Sequence, residues 1–97
     1  PLFPYTTLFR SSSSSLQNYP NPFAGTTEIT YTIPEDSFVH LSIYDILGIK
    51  VQELVSDWQA SGTHKIKYDG ANLPSGIYFI KLEAGGFVQF SKMCHTF

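Results

Sequence analysis

The sequence contains little cysteine and little charge, and it has no long apolar run. A single cysteine, Cys94, stands among 97 residues, so neither an internal disulfide nor a cysteine-rich zinc site can form. No stretch reaches the roughly 18 apolar residues of a membrane-spanning helix, and no basic region followed by an apolar run marks a signal peptide. With 42% hydrophobic and 15% aromatic residues, one domain of this length can still form a core.

The low charge excludes one class of partner and favours one class of structure. Charged residues make up 14% of the chain, and the formal net charge is −2, whereas a typical domain has about 25% charged residues. The lysines are scattered along the sequence, but nucleic-acid binding requires a clustered basic surface. We therefore expect no nucleic-acid partner. The many Thr, Ser, Tyr and Phe residues favour strands over exposed helices.

Patterns that carry catalysis or bind cofactors are also missing. There is no Gly-x-Ser-x-Gly elbow and no glycine-rich phosphate loop. Cys94 and His95 are neighbours, but adjacent strand residues point to opposite faces and cannot form a nucleophile–base pair. The three histidines lack ligand spacing and are predicted to lie at the surface, and hydrogen bonds within turns explain Asp36, Asp45 and Asp69 better than a Ca²⁺ site. We predict no enzyme activity, no cofactor and no metal.

The first fifteen residues differ from the rest of the chain. Residues 1–10 resemble the translation of a high-throughput sequencing adapter, and residues 11–15 are a polyserine run typical of flexible linkers. Segments of this kind are excluded from fold reasoning. We therefore predict an unstructured leader over 1–15 and a folded domain over 16–97.

From residue 26 onward, apolar and polar residues alternate in short segments bounded by turn residues, which is typical of half-buried strands. The predicted strands span residues 26–33, 38–44, 49–55, 62–68, 77–83 and 87–93. Turn residues lie between them, as in Asp45 to Gly48 and in the Gly85-Gly86 pair. No window has a helical period. The sequence predicts an all-β fold, an Ig-like antiparallel β-sandwich of six to seven short strands, without the Cys…Trp…Cys pattern of antibody domains.

Two segments carry finer expectations about burial. Residues 77–83 are apolar on both sides, which is typical of a central strand. In 49–55 we expect Ile49 and Val51 to be buried, with Leu54 or Val55, and we expect a bulge or strand end near Gln52. The next segment, 56–61, is predicted to be a polar connection around a tryptophan.

The segment before the first predicted strand carries two prolines two residues apart. Because proline fixes its own φ and restricts the preceding residue, residues 18–23 are predicted to be an extended entry segment and not a helix. Phe23 is predicted to anchor this segment on the edge of the sandwich.

An ordered series of short motifs runs through the chain from residue 16. The motifs are LQNYPNPF at 16–23, TTEITY at 26–31, IYDILG at 43–48, GTH at 62–64, LPSGIYF at 73–79 and Lys92-Met93. This series resembles the type A C-terminal sorting domain of the type IX secretion system. Each motif alone is weak, but six motifs in the family's order and with its gaps are specific.

The resemblance implies a β-sandwich at the C-terminus of a larger secreted protein of Bacteroidetes-like bacteria. It implies a covalently linked upstream cargo that crosses the outer membrane from the periplasm and is secreted or held at the cell surface. The implied partners are the type IX secretion machinery, which recognises the domain, and a sortase-like peptidase, which removes it.

The resemblance also singles out residues, most of which we expect to determine the fold. The residues that match the family's motifs are Tyr19, Pro20, Asn21, Pro22, Phe23, Tyr44, Asp45, Gly48, Gly62, Pro74, Gly76 and Tyr78. By the same resemblance the recognition surface is the last hairpin, residues 76–93, with Lys92 and Met93 as candidate contacts. The ending at 94–97 departs from the aliphatic and basic ending that is usual in the family.

Two other functions fit parts of the sequence. The Ig-like assembly module of flagellar hook-capping proteins shares the Tyr-Asp-x-x-Gly and Pro-x-Gly-x-Tyr turns. A carbohydrate-binding or adhesive sandwich would present a row of exposed aromatic side chains on one face, for which Tyr19, Phe38, Trp58 and Phe87 are the candidates.

Overall fold

The computed structural model describes residues 15–96, which form seven β-strands and no helix. The strands are β1 (Ser15–Tyr19), β2 (Thr26–Ile33), β3 (Ser37–Asp45), β4 (Lys50–Gln59), β5 (Gly62–Asp69), β6 (Gly76–Ala84) and β7 (Phe87–His95). They pair antiparallel in two sheets, in the orders β1-β2-β5 and β4-β3-β6-β7. The predicted all-β sandwich is confirmed.

The predicted leader lies almost wholly outside the described residues. β1 begins at Ser15, one residue before the predicted start of the domain. No helix among residues 15–96 is long and apolar enough to cross a membrane.

The core lies between the two sheets and is built from alternate residues of the inner strands. On β2 the inward side chains include Ile29, Tyr31 and Ile33, which are at most 1% exposed. They belong to the same apolar cluster as side chains from β3, β6 and β7. Burying one such side chain contributes about 1.5–3 kcal/mol. The bounds and inward face predicted for 26–33 are confirmed, because strict alternation leaves only one way to orient the strand.

Two further predictions for the strands are confirmed. β6 lies between β3 and β7, so the segment that is apolar on both sides is an inner strand. Gly85 and Gly86 form the turn between β6 and β7, with φ angles of 54° and 89°. Positive φ at both central positions is the signature of a type I′ hairpin, which glycine adopts without strain.

The predictions for β4 are partly wrong. Ile49 and Val51 are 60% and 42% exposed, and strand pairing continues to Gln59 through the segment predicted to be a connection. β4 is an edge strand paired only with β3 among the described strands, and Leu54 and Val55 are partly buried against the core, as predicted. Two register shifts against β3 interrupt the alternation, so the apolar residues of β4 do not share one buried face.

Candidate recognition surface

Residues 18–23 form a tight structure in which an asparagine side chain is buried. Asn18 Nδ2 donates to Pro20 O at 3.3 Å and to Thr27 Oγ1 at 3.2 Å, and Thr27 Oγ1 donates to Pro20 O at 2.9 Å. The peptide bonds before Pro20 and Pro22 are cis. The hydrogen bonds among Asn18, Pro20 and Thr27 hold the path from β1 to β2, so the entry segment is part of the fold.

The same segment is bonded to the end of β7 by an arrangement that we call the clamp, formed by Asn21 and Phe23 on residues 92–96. Asn21 Nδ2 donates to Lys92 O and Asn21 Oδ1 accepts from Cys94 N, both at 3.0 Å. Phe23 N donates to Cys94 O at 3.0 Å, and Thr96 N donates to Phe23 O at 2.8 Å. The clamp thus occupies the outer main-chain groups over the last part of β7.

The Phe23 ring fixes the clamp in the core. It is 1% exposed, and its centroid lies 4.7 Å from that of His95, which is itself buried. The predicted anchor role of Phe23 is confirmed. The prediction that all three histidines lie at the surface is wrong for His95, because β7 extends two residues beyond its predicted end and its alternation turns this side chain inward.

Gly70, which follows β5 directly, lies close to the clamp. A Cβ atom on Gly70 would lie 3.0 Å from Phe23 Cε2, 3.2 Å from His95 Nε2 and 3.3 Å from Gly25 O. Glycine at this position lets the β5–β6 connection approach the clamp. The Asp69-Gly70 pair could have indicated a close approach, but not its partner.

The turn between β3 and β4 is held by one carboxylate. Asp45 Oδ1 accepts from Leu47 N at 2.9 Å and from Ile49 N at 3.0 Å, and Gly48 N donates to Asp45 O at 3.0 Å. Gly48 has a φ of 83°, which favours glycine. Asp69 Oδ1 accepts from Ala71 N at 2.9 Å in a similar way. The prediction that turn aspartates bind the main chain is confirmed for both.

The outer face of the four-stranded sheet carries an aromatic groove beside this turn. Its volume is about 320 Å³, and its lining includes Tyr44, Phe79, Lys81 and Phe90. Lys81 Nζ lies 5.6 Å from the centroid of the Tyr44 ring and 6.0 Å from that of Phe90, so a cation lies between two aromatic rings.

β7 borders this groove and forms the edge of its sheet. Val88 and Phe90 are 52% and 60% exposed, and Lys92 is exposed on the same face. Met93 points the other way and is fully buried. A direct contact between the Met93 side chain and a partner, as the resemblance suggested, does not fit the folded domain, because this residue fills the core.

A surface network between β3 and β4 lowers the pKa of the Glu53 carboxyl group. His40 Nδ1 lies 2.9 Å from Glu53 Oε2, and Lys50 Nζ lies 4.0 Å from Glu53 Oε1. The hydrogen bond from His40 lowers the pKa of Glu53, and the charge of Lys50 acts in the same direction. All three side chains are substantially exposed, so this cluster is a surface network. Among residues 15–96, no three His, Cys, Asp or Glu side chains lie where they could hold a metal ion.

The predicted aromatic candidates do not form one row. Phe38 and Trp58 are directly paired between β3 and β4 and are 46% and 64% exposed. Phe87 packs against the core, and Tyr19 lies at the end of β1 in the other sheet.

The comparison with protein families agrees with this geometry. The model of the family described as "Secretion system C-terminal sorting domain" matches residues 17–95. The chain belongs to this family of type IX secretion sorting domains. No curated protein matches the chain.

Most motif residues of this sorting domain serve its fold in the structure. The entry motif supplies the clamp, the Asp45 turn joins β3 to β4, and Tyr78 OH donates to Pro74 O at 2.6 Å in the loop before β6. Gly62 begins β5 opposite Ile33, and Gly76 begins β6 opposite His95. Tyr19, Pro20 and Pro22 are exposed. Lys92 is the one predicted recognition residue with an exposed side chain.

Proposed function

We propose that this domain is the sorting signal that takes a covalently linked cargo across the outer membrane through the type IX secretion system. The observation that carries the proposal is the family match over residues 17–95, which covers nearly the whole described sandwich. The cargo reaches the cell surface or the medium, and a sortase-like peptidase removes the sorting domain after export.

The structure supports a role as a recognition signal, which requires no catalytic group in the domain. Many of the motif residues hold turns and the clamp, and the exposed Val88, Phe90 and Lys92 side chains lie together on the outer face of the four-stranded sheet. Folding and display are therefore separate tasks of separate residues. The family match favours this function over an assembly module of the hook-capping kind.

Export of a reporter tests the proposal. Residues 16–97 are fused after a fluorescent protein that carries a periplasmic signal peptide, in a bacterium that has the type IX system. We expect the reporter outside the outer membrane, and we expect it to stay in the periplasm when the secretion system is deleted. A matched fusion with Ile80→Asp, which places a charge in the core, controls for folding. Retention of the unchanged fusion in the periplasm would contradict the proposal.

A further inference from the structure

Within residues 15–96, no strand pairs with the outer edge of β7. Neighbouring residues of a strand direct their main-chain groups to opposite sides, and Cys94 directs both of its groups away from β6, towards the clamp. The pairing of β6 with β7 has no register shift, so Val88, Phe90 and Lys92 direct their groups outward as well. The clamp uses Lys92 O, whereas both groups of Val88 and Phe90, and Lys92 N–H, have no hydrogen-bond partner in the part of the chain that the structure describes.

Most of this edge lacks the features that protect a strand edge, since its one charged residue, Lys92, lies at the end next to the clamp. Natural sheets usually guard an edge with bulges, prolines or charges, because a regular apolar edge recruits other strands. β4, at the other side of the same sheet, has two register shifts. β7 has none from residue 88 to 92, and it carries Val88 and Phe90 more than half exposed. An edge of this kind is suited to binding a strand.

The charges beside the edge determine what kind of strand fits. Lys81 has carboxylates nearby, with Glu83 at 3.8 Å and Asp45 lining the same groove. Lys92, at one end of the edge, has no ion-pair partner within residues 15–96, so its positive charge is available to a partner strand. Complementary charge improves both encounter rate and register.

We propose that residues 88–92 of β7 bind an extended strand of a partner protein by β-augmentation, with an acidic residue opposite Lys92 and an apolar residue opposite Phe90. This inference rests on the proposed function, because it assigns the partner to the export machinery. Main-chain hydrogen bonds supply affinity in this mode, and alternate side chains supply specificity. The clamp limits the added strand to about five residues, because the next outward groups are occupied.

A titration with a synthetic peptide tests the edge directly. The probe is the blocked peptide Ser-Glu-Thr-Val-Thr-Val-Ser, which places Glu opposite Lys92 when Val lies opposite Phe90 in an antiparallel pair. The full chain is labelled with ¹⁵N and followed by NMR. We expect amide shifts and slower hydrogen exchange confined to residues 88–92, with a Kd on the order of 1 mM. The same peptide with Lys in place of Glu should bind at least about tenfold more weakly.

A pair of variants at one position separates the main chain from the side chain. Phe90→Pro removes the outward N–H without removing a bond to β6, whereas Phe90→Ala removes the ring and keeps the N–H. We expect Phe90→Ala to weaken binding and Phe90→Pro to abolish it, while both keep dispersed NMR spectra. Equal binding by the two variants, equal binding of the Lys peptide, or shifts outside β7 would each overturn the inference. A dimer seen by sedimentation and lost in Phe90→Pro would assign the edge to a second copy of this chain and overturn it as well.

The export assay keeps the two proposals distinguishable. If the unchanged fusion is exported and the folded Phe90→Pro fusion is retained, both proposals are supported. If both fusions are exported, the edge inference fails and the sorting function stands. If the unchanged fusion is retained, the sorting function fails, and the peptide titration still decides whether the edge binds acidic strands.

Discussion

At the scale of single residues, Asn21 and Phe23 hold the same strand by different means. Asn21 is exposed and acts through two hydrogen bonds to the main chain of β7, whereas Phe23 is buried and acts through packing. An asparagine amide suits this position because it donates and accepts at once, as a strand edge does.

Removal of the Asn21 side chain should therefore destabilise the domain without disturbing the core. We expect Asn21→Ala to lower the free energy of unfolding by about 1–2 kcal/mol, since two hydrogen bonds of modest net value are lost. Urea denaturation measures this value. Asn72→Ala, at an exposed asparagine in the β5–β6 connection, is the control and should change stability by less than about 0.5 kcal/mol. Equal effects of the two changes would contradict the role of the clamp.

Gly70 gives a second test at this scale. We expect Gly70→Ala to cost about 1–3 kcal/mol, because its Cβ would lie 3.0 Å from Phe23 Cε2 and the packed ring must move. Phe23→Leu removes that ring atom, so the double variant should lose less stability than the sum of the two single variants. Thermal unfolding of the original chain, the two single variants and the double variant gives the coupling energy between the two positions. Strictly additive losses of stability would show that the contact between Gly70 and Phe23 is unimportant.

At the scale of the elements, β7 has one side bonded to β6 and another side that is partly free. Proline at neighbouring positions should therefore have very different effects. Phe90→Pro should cost less than about 1 kcal/mol from the main chain, because its N–H faces outward, whereas Ser91→Pro removes a bond to β6 and should cost at least about 2 kcal/mol. Chemical denaturation of both variants, with Phe90→Ala and Ser91→Ala as side-chain controls, measures the difference. Similar losses of stability at both positions would contradict the assignment of the Phe90 N–H to the outer side of β7.

The same scale shows what the sequence could and could not predict. The alternation of apolar and polar residues was sufficient to predict the bounds and the buried face of β2, because that strand is paired on both sides and has one buried face. The same pattern was misleading around β4, an edge strand with two register shifts, where Val51 and the preceding Ile49 are exposed. Main-chain pairing, which any residue except proline can supply in full, continues through Ser56 and Asp57. The polar side chains of this segment therefore predicted the end of the strand too early.

The surface was predicted less completely than the fold. The motif resemblance led to the family and named Lys92 and Met93 as candidate contacts. Side chains alternate between the two faces of β7, so Lys92 is exposed and Met93 lies in the core. The clamp joins positions 71 and 73 residues apart. A contact at that separation leaves no local pattern, so a single sequence shows the asparagine and not its partner.

At the scale of the whole molecule, the residues before Thr26 complete a sandwich whose other six described strands follow them in the chain. These residues form β1 and supply the Asn21 and Phe23 side of the clamp. Leu16 and Phe23 belong to the core, Asn18 is buried, and β1 covers one side of β2. Deletion of these residues would expose the edge of β2 and the core beneath the clamp.

We therefore expect a chain that lacks residues 1–25 to lose cooperative unfolding, since a domain of this size has only a small margin of stability. Near-ultraviolet circular dichroism and NMR dispersion report the loss. The matched control lacks only residues 1–14 and keeps every contact described above, so it should unfold cooperatively. A folded 26–97 fragment would show that β1 and the clamp are dispensable.

The clamp has a consequence for the order of events during synthesis. Residues 21 and 23 emerge from the ribosome long before residues 92–96, yet their partners lie there. Long sequence separation between contacting residues slows folding, because a large loop must close before the contact forms. A nascent chain that stops short of Lys92 has neither a complete last strand nor the contacts that close its first segment. Completion of the sandwich therefore follows translation of its last strand, and a prematurely terminated chain would lack the complete domain.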